Sequence, residues 1–202
     1  MALVPNNQIF NAYLIWADRD FNLVWGGSKL PTTWLVTLDA VVSVTFLAGV
    51  ALFWRWWGRF RKEPDELSKL IIGSCFSMAG MLCLVMAASS ASGGAKIGLF
   101  WPVMFHVLNS IGFAHIVPIG LALFARLAPK QINSTIIGIY FLAFFTANTL
   151  VGWVGGWFET MPTPQFWLMH FGFAATGFAV FIVYKLVLGR FLFASDGKTE
   201  SG

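Results

Sequence analysis

Five stretches of this chain, residues 32–57, 69–90, 97–127, 135–158 and 166–188, are each long and apolar enough to cross a lipid bilayer, and little sequence lies between them. A crossing needs ~20 predominantly apolar residues, because a helix rises ~1.5 Å per residue through ~30 Å of hydrocarbon. Inside hydrocarbon every backbone N–H and C=O must find its partner within the protein, which for segments of this length means helices. The expected fold class is therefore all-α and integral to the membrane. Composition agrees: 57% of the residues are hydrophobic and 11% are charged, about half the charge of an ordinary soluble domain.

The basic residues set an orientation. Arg55, Arg59, Arg61, Lys62 and Lys69 lie around the connection between the first two spans, and the next connection has Lys96 alone. Arg126 and Lys130 follow the third span, no Lys or Arg lies in 158–165, and Lys185, Arg190 and Lys198 follow the fifth. Cytoplasmic connections collect Lys and Arg, so this alternation puts 18–31 outside and the tail 189–202 in the cytoplasm. The net charge of +4 thereby describes orientation rather than a nucleic-acid surface, since no basic face with interleaved aromatics is present. Residues 1–17 are apolar but carry Asn6, Asn7, Gln8 and Asn11. They read as the outer remnant of a sixth membrane helix or, alternatively, as an interfacial amphipathic helix. Met1–Asn7 lacks the basic and apolar segments of a cleaved leader, and 195–202 reads as disordered.

A few polar side chains fall where lipid would be. Asp39 lies about seven residues into the first span, where a carboxylate is costly unless paired, hydrated or protonated. At ~100° per residue Thr32, Asp39 and Ser43 share a face, as a stripe lining a cavity would. His106 and His115 are nine residues apart on the third span, hence on opposite faces. Pro118 interrupts the hydrogen-bond ladder close to His115, which makes His115 the candidate pathway residue and His106 a packing or interfacial one. Tyr140 and Asn148 lie in the fourth span, followed by Gly152 and Gly156 at a spacing that allows helices to approach closely. Cys75 and Cys83 are ~12 Å apart along one expected helix, beyond disulfide reach. No phosphate loop, dinucleotide turn, zinc cluster or nucleophile elbow is present, so neither an enzyme nor a resident cofactor is expected. The other classes left open are a haem-binding redox protein using His106, His115 or His170, and a membrane scaffold.

The segments "IWADRDFNLVWGGSKLPTTWLVTLDA" and "NSIGFAHIVPIGLALFARLAPKQINSTIIGIYFLAFFTANTLVGW" resemble the proton-coupled oligopeptide transporters of the major facilitator superfamily. The most specific elements are Pro118–Leu123, Leu127–Pro129, Gly138–Leu142 and Ala147–Asn148 in that order, together with the basic loop Gly58–Pro64. The resemblance implies the C-terminal six-helix half of that fold, from the end of helix 7 through helix 12, with five complete membrane helices and one partial one. It implies a part of a symporter for di- or tripeptides or peptide-like solutes, driven by protons, docked on an N-terminal six-helix half and resident in a bacterial inner membrane. Four positions depart from the family: Asn7-Gln8 for Glu-Gln, Asp39-Ala40 for Asn-Pro, Ala114-His115 for Gly-Glu, and Tyr140 for tryptophan. By this analogy Asn7, Gln8, His115, Tyr140 and Asn148 would meet the solute. Asp39 and His115 would handle the proton, facing each other across the cavity.

Overall fold

The computed structural model describes residues 2–91 and 94–192, the last five by backbone alone. The tail 195–202, expected to be disordered, lies outside the described residues. Five helices are long and apolar enough to cross a membrane: α3 (Trp34–Trp57), α4 (Glu66–Ser90), α5 (Phe100–Leu127), α6 (Asn133–Gly155) and α7 (Thr163–Leu192). Before them the chain forms α1 (Val4–Asn7), a 3-10 turn (Gln8–Phe10) and α2 (Ala12–Asp20). The break falls at Asn11, whose φ of −132° and ψ of −111° leave the helical region. A two-residue hairpin, β1 (Val24–Trp25) and β2 (Ser28–Lys29), joins α2 to α3. Gly26 and Gly27 make its turn with φ of +58° and +83°, the left-handed pair that a tight hairpin requires.

α4 occupies the centre of the bundle, packing along α5 on one side and α7 on the other, while α3 packs on α5. Lipid chains are as apolar as side chains, so membrane helices associate through close packing and polar contacts rather than through hydrophobic expulsion. Gly73, Ser77 and Gly80 supply the close packing along one face of α4. A Cβ on Gly73 would sit 2.6 Å from the His115 Cβ and 3.1 Å from the Gly112 carbonyl oxygen of α5. The sequence pointed instead to Gly152 and Gly156 as the packing pair. That expectation is corrected here: nothing lies within 4 Å of a Cβ at either, and Gly155 between them is the glycine against which Gln8 and Asn11 rest.

The two ends of the bundle are closed by polar contacts. At one end Asp20 and Asn22 exchange backbone hydrogen bonds with Ile97, and Lys96 donates to the Arg19 carbonyl. At the other, Lys69 pairs with Glu63, Arg126 with Glu66 at 3.1 Å and Lys185 with Asp65 at 3.4 Å. Asp65 also caps α4, accepting from the Ser68 N–H and the Ser68 hydroxyl, both at 2.8 Å.

Burial alone would raise the Asp65 carboxyl, but the Ser68 donors and the Lys185 ammonium outweigh it and hold the group below its ordinary value of 3.8. A carboxyl depressed in the fold stabilises fully above its unfolded pKa, and this contribution is lost as pH falls through the folded one. Asp65→Ala is therefore expected to cost about 1 kcal/mol at neutral pH. The lost melting temperature should be read from tryptophan fluorescence in detergent, with the gap to the parent closing as pH drops below about 4.

Candidate functional site

Asp39, the carboxylate deepest in a span, is paired, but with His106 and not with His115. Its Oδ1 lies 3.0 Å from His106 Nδ1, and the other ring nitrogen, Nε2, lies 3.1 Å from the Tyr13 hydroxyl. Three elements meet in this chain of contacts: α2 brings Tyr13, α5 brings His106 and α3 brings Asp39. Tyr13 and His106 are fully buried and Asp39 is 9% exposed. The expected Asp39–His115 contact is thus corrected, and His106, expected to be a packing or interfacial residue, is buried inside the bundle and bonded to both Tyr13 and Asp39. Ser43, one turn beyond Asp39, meets Ser110 of α5 at 3.0 Å, so the polar stripe of α3 faces α5.

His115 is satisfied elsewhere. Its Nδ1 donates to the Ile111 carbonyl at 2.8 Å, which leaves Nε2 to accept the Trp54 indole N–H at 3.2 Å. It is 4% exposed and borders an apolar recess of about 490 Å³ among Phe46, Val50, Phe53, Ile72 and Phe76. Both ring nitrogens being occupied, His115 presents no free donor or acceptor to a solute, contrary to the role its sequence position suggested. The haem reading set His106 or His115 against His170, and in this fold His106 and His115 each use both ring nitrogens for contacts within the bundle.

The remaining candidates divide between a surface and an interior. Asn7 of α1 donates from Nδ2 to Asn148 Oδ1 of α6 at 3.0 Å, and Asn148 is exposed on the outer side of its helix. Tyr140 is half-buried and donates to the Val117 carbonyl at 2.8 Å, just before Pro118, so it latches α6 to α5 while its oxygen can still accept. Gln8 departs from expectation: it is fully buried, and neither amide atom has a hydrogen-bond partner. Asn109 Nδ2, Trp167 Nε1 and His170 Nε2 are buried and unpartnered in the same way. Buried polar atoms are rarely left so, which marks the 3-10 turn, α5 and α7 as each carrying an unanswered polar group in the interior. Nothing in the hydropathy of the chain announces these four residues.

Comparison with known proteins follows this geometry. A family profile described as the POT family matches residues 3–169. The chain is 31% identical over 134 residues to the peptide transporter YePEPT of Yersinia enterocolitica, covering 64% of this chain and 26% of that protein. It is 30% identical over 137 residues to dipeptide and tripeptide permease A of Escherichia coli K12, covering 64% and 27%. The chain therefore spans about a quarter of the length of these relatives. Among solved structures it matches a peptide transporter POT in complex with sulfate, with a TM-score of 0.80 at 18% identity over 93% of this chain and 37% of that one. A POT family transporter in complex with 5-aminolevulinic acid gives 0.79 at 16% identity, over 90% and 37%. The broken first segment, the five crossings and the central place of α4 are thus those of a larger transporter's fold, and with the profile running from α1 into α7 the chain belongs to the POT family.

Proposed function

We propose that this chain is the C-terminal bundle of a proton-driven symporter for di- or tripeptides or peptide-like solutes, and that it works against a second six-helix bundle in a bacterial inner membrane. In this orientation the end bearing Lys69, Arg126 and Lys185 is cytoplasmic, and so is the tail 189–202. The observation that carries the reading is the exposed Asn7–Asn148 amide pair, which joins α1 to α6 across 141 residues of sequence. A primary amide offers both a donor and an acceptor, which matches the C=O and N–H of a peptide. On a lipid-facing surface the same groups would only be a cost.

Exposed apolar side chains support the companion bundle. Val41, Val44 and Leu52 of α3 and Phe141, Leu142 and Phe145 of α6 are all more than half exposed, a surface suited to acyl chains or to another set of helices. Relatives named for peptide transport support the solute class. The experiment is uptake of a labelled dipeptide into proteoliposomes under an imposed pH gradient, with the bundle carried in a complete transporter. Asn7→Ala and Asn148→Ala are each expected to raise the half-saturating peptide concentration by about tenfold, as loss of one well-made hydrogen bond implies. Gradient-independent flux, or no uptake of any peptide, rejects the reading.

A further inference from the structure

We propose that the Tyr13–His106–Asp39 network is where the carrier holds its proton, shared between the His106 imidazole and the Asp39 carboxylate and steadied by the Tyr13 hydroxyl. This rests on the symporter reading above and names its proton site.

The hydrogen-bond roles follow from the contacts. Without the extra proton, His106 Nδ1–H donates to Asp39 Oδ1 and the Tyr13 hydroxyl donates to Nε2. The network then has one negative charge and no counter-ion of its own. The rings around Tyr13 are Trp16, Phe21, Phe105 and Trp167, with centroids 5.2 to 6.4 Å away. Among such groups an uncompensated charge costs more than an ion pair or a neutral pair. The other titratable groups nearby are Cys83 of α4, close enough to act on the Tyr13 hydroxyl, and His170 of α7, which packs on Trp167; neither is a cation held against Asp39.

Adding a proton cancels the charge. Either Nε2 is protonated, and the Tyr13 hydroxyl turns so that its oxygen accepts, or Asp39 is protonated and His106 stays neutral. The proton comes from water on one side and returns to water on the other, so the step balances without a co-reactant. Its way in is at Asp39, whose side chain keeps 13% of its surface while that of His106 keeps none.

The geometry also supplies a path to the solute face. Tyr13 lies on α2, two residues beyond the break at Asn11, and α1 on the other side of that break carries Asn7. A change in the network's proton count acts on α2 through the Tyr13 hydroxyl, which must reverse its hydrogen-bond role at His106 Nε2 when that nitrogen takes the proton, and through α2 it acts on α1 about Asn11 and on the Asn7–Asn148 pair. A proton held at Asp39 and His106 is in this way sensed where the peptide would bind.

The test has two arms. In the complete carrier, a proton moving through ~100 mV supports roughly 50-fold accumulation. Asp39→Asn and His106→Gln keep hydrogen-bonding atoms but each removes half of the proton site. Both are expected to bring accumulation to about onefold while peptide counterflow falls much less. Undiminished accumulation in either variant overturns the proposal. The second arm needs no variant to fold. On the wild-type protein in nanodiscs, isotope-edited spectra of the three histidines and of the aspartate carboxyls are followed from about pH 5 to 9. A change of protonation in the His106–Asp39 pair is expected, and an invariant pair overturns the proposal. If wild-type uptake is proton-driven but the pair is invariant, the symporter reading stands and the proton site falls. If the pair titrates but no gradient drives uptake, the symporter reading falls and the proton-site proposal falls with it.

Discussion

Gly73→Leu is expected to lower the melting temperature of the purified protein by roughly 6 to 12 °C, corresponding to about 3 kcal/mol for a chain of this size. At Gly73 the atoms a new side chain would strike are the His115 Cβ at 2.6 Å, the Gly112 carbonyl oxygen at 3.1 Å and Ile116 Cγ1 at 3.2 Å. A Cβ and a backbone carbonyl cannot swing aside as the end of a lysine can, so α4 and α5 must separate. In a membrane no hydrophobic force draws them together again, and the Trp54–His115 bond nearby is stretched as well. Gly138→Leu, in α6 with nothing within 4 Å of its Cβ, serves as the control and should leave the transition within about 2 °C. Thermal scans in one detergent, followed by tryptophan fluorescence, compare the two. Equal transitions would show that the α4–α5 contact is not the tight one described.

The crossings were legible in the sequence because hydropathy measures what a bilayer selects. The expected 32–57 corresponds to α3 at Trp34–Trp57 and 166–188 falls within α7 at Thr163–Leu192. The larger discrepancies have local causes that hydropathy does not register. α4 begins at Glu66 rather than 69 because Asp65 caps a polar first turn. α5 begins at Phe100 rather than 97 because Ile97 is bonded to Asp20 and Asn22. Residues 135–158 divide into α6 and a 3-10 turn, Gly156–Glu159.

Pairing was less legible, because helical periodicity gives a face but not the helix that the face meets. One signal did exist. α3 and α5 both start at the same end of the bundle, and at ~1.5 Å per residue Asp39 and His106 lie ~8 and ~9 Å along from their helix starts, against ~22 Å for His115. Equal depth selects His106, and opposite faces alone could not. The glycine spacing misled for a related reason: Gly152 and Gly156 have the right interval but face outward, while Gly155 faces Gln8 and Asn11. Asn109 and Trp167 left no trace, and Gln8 and His170 were singled out without their burial being foreseen, since a single polar residue in an apolar segment reads the same whether buried or lining water.

The second large effect concerns what a pair of buried polar groups costs when broken and when removed together. His106→Leu leaves the largely buried Asp39 carboxylate without its donor and the Tyr13 hydroxyl, enclosed by aromatic rings, without its acceptor. Removing one partner of a buried pair typically costs ~3–5 kcal/mol, whereas replacing the whole set with apolar groups of similar volume is often neutral. The single variant is therefore expected to be the least stable of the series. Asp39→Leu/His106→Leu should recover a large part of the loss, and the addition of Tyr13→Phe should bring the protein close to the parent. Stability read as resistance to unfolding by a denaturing detergent, at matched lipid content, gives the coupling energy as the departure from additivity. Additive losses would mean that Tyr13, His106 and Asp39 are independent packers. A strong departure, together with lost proton-driven accumulation in a stable triple variant, separates what the network does for transport from what it does for folding.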